Sequence, residues 1–296
     1  MANLKDIQRR IKSVSNTQKT TRAMKLVSTA KLKRAEEIAK KSREYSVKIN
    51  QVLSSIAYQI QQHKVGGISS RYFANLKKED IKKCDLIFVT ADKGLCGGFN
   101  YQTIKATKNK LDSLKNDKVK VRLRSIGKKG SEFFKFKGIE LLDDVRGLSS
   151  SPSYEDARTF IGKSIEDFQN GDTDQVTLIY NGYLNMITQE LKEINILPID
   201  VSKIEKTEYS SMIDFEPNDD ESILESLVRK YVEYNLYYAL VDSLAAEHSA
   251  RMQAMDSATN NAKDMVKDLK LEYNKARQES ITTELIEIIS GVEAMK

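Results

Sequence analysis

Few side chains in this sequence are suited to nucleophilic or metal chemistry. Two cysteines, Cys84 and Cys96, and two histidines, His63 and His248, are the whole complement. A thiol nucleophile needs a base within hydrogen-bond reach. The histidine nearest Cys96 in sequence is His63, on a different predicted element. His248 falls on a helical stripe and reads as a packed seam residue. His63 sits near a predicted helix end and reads as solvated. A structural zinc site cannot be assembled from this inventory without carboxylate help. The acidic pairs Asp143-Asp144 and Asp219-Asp220 lack the glycine and oxygen-ligand spacing of a calcium loop. They read as loop acids or cap residues. The turn Gly94-Leu95-Cys96-Gly97-Gly98 follows a predicted strand and precedes a predicted helix, where phosphate-binding loops sit. It matches neither glycine-rich phosphate pattern, and no such pattern occurs elsewhere in the chain. A tight turn with close helix–strand contact is the plainer reading. No catalytic constellation, cofactor site or metal site is expected.

Composition narrows the class. The chain has 296 residues, 40% hydrophobic and 30% charged, which fits neither a disordered nor a membrane-embedded protein. Thirteen glycines and three prolines are few for this length and favour long helices. Two cysteines make no disulfide framework and point to a reducing compartment. The first residues lack an apolar signal core, and no stretch approaches the roughly 20 apolar residues of a membrane span. Charge is unevenly placed. Residues 1–50 carry 14 basic and 4 acidic side chains, whereas residues 221–296 carry 9 and 13. The two ends either attract each other as solvated helix faces, or the basic end meets an acidic partner. Nucleic acid is a poor fit for that partner. The first aromatic residue is Tyr45, so the basic segment has no stacking platform.

The elements that must position these residues fall into three segments, 1–65, 66–217 and 218–296. In the first, Leu4, Ile7, Ile11 and Val14 step as a helical stripe. Ile38, Tyr45, Ile49, Val52, Ile56 and Ile60 continue it, with a polar blank over residues 15–22. In the last, fifteen positions from Leu227 through Tyr231, Tyr234, Tyr238, Val241, Ala245, His248, Met252, Met255, Thr259, Ala262, Val266, Leu269 and Tyr273 to Ala276 alternate steps of four and three. A sustained 3.5-residue period argues for a left-handed coiled coil. Two long helices at opposite ends of one chain pair most simply as an antiparallel hairpin. Between them, apolar runs at 84–90, 119–127 and 175–180 read as strands. Segments 99–116 and 154–170 read as helices, with further strand-like sequence over 183–201. Strand–helix alternation implies a mostly parallel sheet. The expected fold is thus an α/β, Rossmann-like domain inserted into an antiparallel coiled-coil shaft.

Four stretches carry a family resemblance. Residues 11–27, IKSVSNTQKTTRAMKLV, resemble the N-terminal signature of the F-type ATP synthase gamma subunit family. Residues 91–100, ADKGLCGGFN, resemble its central motif. Residues 247–255, EHSARMQAM, and 273–285, YNKARQESITTEL, resemble its C-terminal signature. The similarity runs over the whole chain in the right order. It implies a non-catalytic rotor shaft inside three alpha and three beta subunits. The α/β domain would sit near the epsilon subunit and the membrane ring of c subunits. It implies that the shaft carries torque between proton flow and catalytic sites on beta. By resemblance, Met24 and Lys25 lie where the shaft faces an acidic beta loop. Arg251, Arg277, Gln278 and Thr282 match positions of polar contact with beta and of coupling. Each of these residues has an ordinary alternative as seam packing or solvated helix face.

The chain departs from the family pattern at Ala91, where serine is common, and at Thr20, where an apolar residue is usual. It lacks the cysteine-bearing insertion of chloroplast gamma subunits and a transit peptide. That favours a bacterial, peripheral protein on the cytoplasmic face of the inner or plasma membrane. Two other readings compete: a coiled-coil scaffold unrelated to ATP synthase, and a small nucleotide-binding enzyme built on residues 68–215. If the two long helices pair within one chain, sedimentation gives a monomer. A stable homodimer would count against that pairing.

Overall fold

A computed structural model of the chain describes residues 4–63, 71–73, 80–199 and 220–295. Side chains within 54–63 and 220–224 lie outside the described residues, and so does the predicted acidic pair Asp219-Asp220. In chain order the elements are α1 (Leu4–His63), β1 (Lys83–Val89), α2 (Phe99–Asn116), β2 (Lys120–Ile126), α3 (Lys128–Phe136), β3 (Asp143–Val145), α4 (Tyr154–Asn170), β4 (Gln175–Tyr183), β5 (Gln189–Leu197) and α5 (Asp220–Ala294). They form two compact units. One comprises Met1–Thr29 with Arg251–Lys296, the other Ala30–Ala250.

The larger unit is built on a five-stranded sheet of order β3-β2-β1-β4-β5. Pairs β1–β2, β1–β4 and β2–β3 are parallel, and β4–β5 is an antiparallel hairpin. Parallel strands need crossover connections, supplied here by α2, α3 and α4. Helices on both faces explain why β1 is a continuous apolar run rather than an alternating one. Alternate residues of β1 serve opposite layers. Ile87 and Val89 pack with α4 (Phe160, Ile161, Ile165, Phe168) and with Val228, Val232 and Leu236 of α5. Leu86 and Phe88 pack with Leu111 of α2 and Phe134 of α3.

Local chemistry sets the ends of α4. Ser153 accepts a hydrogen bond from the Asp156 N–H at 3.1 Å, and Gly171 ends the helix at φ 83°. Two elements were not expected from the sequence. Helix α3 contains Gly130, a poor helix former. A β-carbon there would stand 2.4 Å from Phe88 Cε2, so only glycine lets α3 lie this close to β1. Strand β3 holds Asp143 and Asp144, read above as loop or cap acids. They are strand residues in ion pairs, since Asp143 meets Arg124 at 3.0 Å and Asp144 meets Lys135 at 2.6 Å.

Among the described residues Arg124, at 1% exposure, is the largest fully buried side chain. Its guanidinium lies 3.1 Å from Asp85, 3.0 Å from Asp143 and 2.9 Å from Asp167. Arg122 joins two of these carboxylates, 2.6 Å from Asp85 and 2.8 Å from Asp167. Strands β1, β2 and β3 and helix α4 are thereby tied at one point. Removing one partner of a buried ion pair leaves an uncompensated charge and costs about 3–5 kcal/mol. Asp85→Asn should lower the unfolding free energy obtained from urea titration by an amount of that order, seen as a lower urea midpoint. Asp6→Asn should barely move it, because Asp6 pairs with Arg9 on an exposed helix face. Equal, small shifts for both variants would show that the cluster contributes little to stability.

Candidate functional site

In the smaller unit α1 and α5 run antiparallel. Lys25 Nζ meets Asp256 Oδ1 at 2.6 Å, and the Thr259 hydroxyl meets that of Thr21 at 2.8 Å. Chain number thus falls on α1 as it rises on α5. The buried and half-buried residues of α5 here include Met252, Met255, Thr259, Ala262, Val266, Leu269, Tyr273 and Ala276, the 3–4 stripe expected from sequence. On α1 the matching stripe is Leu4, Ile7, Ile11, Val14, Gln18, Thr21, Lys25 and Ser28. The expected blank over residues 15–22 is therefore a correction: the seam passes through it on Gln18 and Thr21.

The same seven-residue rhythm continues on α1 in the larger unit, through Leu32, Ala35, Ala39, Ser42, Ser46, Ile49 and Leu53, all buried. Ile38, Tyr45 and Val52, expected on the stripe, lie off it and are 48%, 51% and 39% exposed. Ile56 and Ile60 lie outside the described side chains. Midway along this stretch, between Leu32 and Ile49, the seam narrows to alanines and serines, and Ser42 faces a tyrosine of α5. The Ser42 side chain hydrogen-bonds Tyr234, and Tyr45 lies beside that tyrosine with ring centroids 4.3 Å apart. Small residues facing large ones interdigitate without voids.

The six residues singled out from the sequence are placed as follows. Lys25 is half-buried and carries the Asp256 ion pair, and Met24 beside it is half-buried. Arg251 is buried at 8% exposure. Arg277, Gln278 and Thr282 are exposed, and the Thr282 hydroxyl donates to the Gln278 carbonyl at 2.9 Å. Arg251 and Arg277 stand about 39 Å apart along α5 at 1.5 Å per residue. The structure brings Met24 and Lys25 together on one turn, and Arg277, Gln278 and Thr282 on two neighbouring turns. Asp256 was missed by sequence reasoning. Its signal was the opposite charge of the two termini, which an antiparallel register converts into a specific pair. Beyond Ala276 the apolar residues Ile281, Leu285, Ile286, Ile288, Ile289 and Val292 are each at least 49% exposed.

In the larger unit the glycine-rich turn lies beside the switch point of the sheet and is engaged by the protein's own residues. In an open α/β sheet, ligands bind where strand order reverses, at the carboxyl ends of the strands. Here that point lies between β1 and β4. It is filled by Ala91, Cys96 and Phe99 packed on Ala246 and Ala250 of α5, with Tyr183 against them. Asn181 of β4 donates to the Phe99 carbonyl at 2.8 Å and to Thr103, locking the first turn of α2. The turn itself is braced by Asp92, which accepts from the N–H groups of Lys128 and Gly147 and from the hydroxyls of Ser149 and Ser150. Gly127, at φ 100°, leaves no room for a β-carbon beside the Thr90 carbonyl. Cys84 and Cys96 are buried and not joined in a disulfide, and burial pushes the pKa of the Cys84 thiol up to about 12. His248 is buried, and the His63 side chain lies outside the described residues. Among the described residues no cluster of His, Cys, Asp and Glu is arranged to hold a metal ion, and no helix is long and apolar enough to cross a membrane.

The family model described as "ATP synthase" matches residues 3–295. The ATP synthase gamma chain of a Nitratiruptor species is 63% identical over 296 residues, covering 100% of both chains. That of Campylobacter concisus is 63% identical over 297 residues, again covering both completely. Among solved structures, a chain of the Euglena gracilis mitochondrial ATP synthase in rotational state 3 superposes with TM-score 0.68 at 18% identity. It covers 99% of this chain and 94% of that one. A chain of the Tetrahymena thermophila mitochondrial ATP synthase central stalk superposes with TM-score 0.63 at 24% identity. It covers 81% of this chain and 99% of that one. These two share the fold of two long helices flanking a small α/β domain. With full-length identity to curated relatives added to that fold, the chain belongs to the gamma-chain family of ATP synthase.

Proposed function

We propose that the chain turns as the central shaft of an F1 sector, one copy within three alpha and three beta subunits. The epsilon subunit and the membrane c-ring would engage the α/β domain. The segments 1–65, 66–217 and 218–296 would serve as first shaft helix, inserted domain and second shaft helix. The sector would lie on the cytoplasmic face of a bacterial inner or plasma membrane. The observation that carries this reading is the antiparallel α1–α5 seam, beyond which α5 is exposed all round from Glu284. A pair of helices with axial hydrogen bonds and an interlocked seam resists slip under torque. It makes and breaks no covalent bond.

One asymmetric shaft inside a three-fold ring presents a different face to each beta subunit. Each catalytic site is then biased toward a different conformation, and rotation exchanges the roles. Driving one site from 1:99 to 99:1 needs about 5.5 kcal/mol of differential contact energy. Charge-assisted hydrogen bonds contribute roughly 1.5–3 kcal/mol each, so a few polar contacts suffice. Lys25, Arg251, Arg277, Gln278 and Thr282 would supply them, with Met24 lying beside Lys25 where the shaft faces the beta loop. Lys25 retains two ammonium N–H groups beyond the one directed at Asp256, so an acidic beta loop can share it. Gln278, Arg277 and Thr282 form an exposed polar patch just before the apolar tip, which would sit in an apolar sleeve of the ring.

Reconstitution with alpha and beta should give one copy per hexamer and steady Mg-ATP hydrolysis. A homodimer with no association would revive the scaffold reading. Gln278→Leu, Arg251→Cys and Lys25→Gln should impair coupled turnover more than assembly. The Lys25–Asp256 pair is exposed enough that its loss costs at most about 1 kcal/mol of stability. A coupling defect with an unchanged melting temperature would therefore report a partner contact. Normal proton-pumping yields in all three variants would sink these assignments. Truncation of residues 290–296 should be milder than deletion from Arg277 onward. Complete loss of assembly in the short truncation would contradict the sleeve.

A further inference from the structure

The rotor reading requires α5 to turn with the α/β domain and not within it. Val228, Val232 and Leu236 pack α5 into the core against β1 and α4, but further along the helix its packing surface is smoother. The face that α5 presents at the switch point is alanine, with Ala246 and Ala250 buried against Ala91, Cys96 and Phe99. Methyl groups bury area but offer little relief, and apolar attraction has no direction. A smooth helix surface resists rotation about its own axis only where directional contacts engage it off the axis.

In the larger unit Glu233 of α5 accepts from the Tyr154 hydroxyl of α4 at 2.7 Å, and two further buried contacts go from α5 to the β4–β5 hairpin of the sheet. Asp242 of α5 is buried, its side chain 5% exposed. Its Oδ1 accepts the Tyr183 N–H at 3.1 Å, and its Oδ2 accepts from Lys192 Nζ at 2.8 Å. Seven residues on, and so on the same face of α5, the buried Ser249 hydroxyl donates to the Met186 carbonyl at 2.9 Å. It also accepts from Gln189 Nε2 at 3.0 Å. Gly182 is fitted to the Asp242 contact. A β-carbon there would stand 2.6 Å from Asp242 Oδ2 and 2.7 Å from Lys192 Cε. The hairpin is itself stiff at its tip, where Asn185 Oδ1 accepts the N–H groups of both Ile187 and Thr188. Lys192 also lies over the Tyr180 ring, 5.6 Å from its centroid, which restricts its ammonium to the Asp242 side.

We infer that Asp242, Lys192 and Gly182, seconded by Ser249, form the torque joint of the rotor: positioning residues that fix the rotational register of α5 against the sheet. This rests on the rotor reading above. No sequence motif marks the joint, because its residues come from two distant segments.

The test uses the complete reconstituted ATP synthase in sealed vesicles, with all values taken per assembled complex. Lys192→Met removes the cation and keeps an unbranched side chain out to the Cε position. Gly182→Ala keeps both charges but wedges the pair apart. Lys192→Arg restores a cation. ATP hydrolysis and ATP-driven acidification are measured together. In addition, the angular fluctuation of a bead on a stalled complex is recorded, attached through Phe136→Cys on the α/β domain, where Phe136 is 86% exposed. Lys192→Met and Gly182→Ala should both lose acidification per ATP hydrolysed and widen the fluctuation, and Lys192→Arg should recover both. Unchanged acidification per ATP and unchanged fluctuation in Lys192→Met and Gly182→Ala overturns the joint. So does a fall in assembly alone, since that is what a merely structural role predicts. Failure of the parent complex to acidify, or of the chain to associate with alpha and beta, is the separate signature of a wrong rotor reading.

Discussion

Helix α5 has to present two incompatible surfaces along one helix. From Val228 to Ala250 it is a layer of the α/β sandwich, and most of its circumference is buried. From Met252 onward it is one member of a helix pair, buried chiefly along one stripe. A helix buried all round wants apolar or small residues everywhere, whereas a paired one wants a narrow seam and polar flanks. The sequence changes character at that boundary. Leu236, Ala239, Leu240, Ala245 and Ala246 give way to Asp256, Asn260, Asn261, Lys263 and Asp264. The buried stretch nonetheless holds Glu233, Asp242 and Glu247. Glu233 and Asp242 meet partners on other elements: Tyr154 at 2.7 Å for Glu233, Lys192 at 2.8 Å for Asp242. Carboxylates at such depth persist because they are paired, and pairing converts an undirected apolar contact into one with a fixed register.

The α/β domain follows the same logic within the sheet. Folds of this kind place a crevice at the switch point of the sheet, and in this chain α5 fills it. Asp92 and Asn181 then use the polar groups that would face a ligand to tie loops and helix ends together. A scaffold suited to nucleotide binding becomes a rigid mount. The crevice is filled by Ala91, Cys96 and Phe99 packed on Ala246 and Ala250 of α5. The buried Arg124 cluster adds a further tie among β1, β2, β3 and α4, away from the crevice.

Register was legible on α5 from the residues alone. Its stripe at 3.5-residue spacing is periodic whatever packs against it, and the strands β1, β2 and β4 announce themselves as apolar runs. The turn chemistry around α4 was equally local, with Ser153 before it and Gly171 after. These features depend on near neighbours in sequence, so sequence suffices to find them. The family motifs lie largely in these same regular stretches.

What only the tertiary structure decided depends on residues distant in sequence. On α1 the conspicuous residues Ile38, Tyr45 and Val52 turned out to be exposed, and the seam ran through Ala35, Ala39, Ser42 and Ser46. Hydropathy favours large side chains, but space opposite the tyrosines of α5 favours small ones, and the space is defined by the partner. Helix α3 breaks the local rule against glycine because Phe88 leaves no room for a β-carbon at Gly130. Strand β3 exists because Arg124 pairs with Asp143 across the sheet. The Asp242–Lys192 contact joins residues 50 positions apart, beside a glycine whose missing side chain makes the room. Periodicity is a property of one segment and can be read from it. Complementarity is a property of two, and becomes visible only when the chain has brought them together.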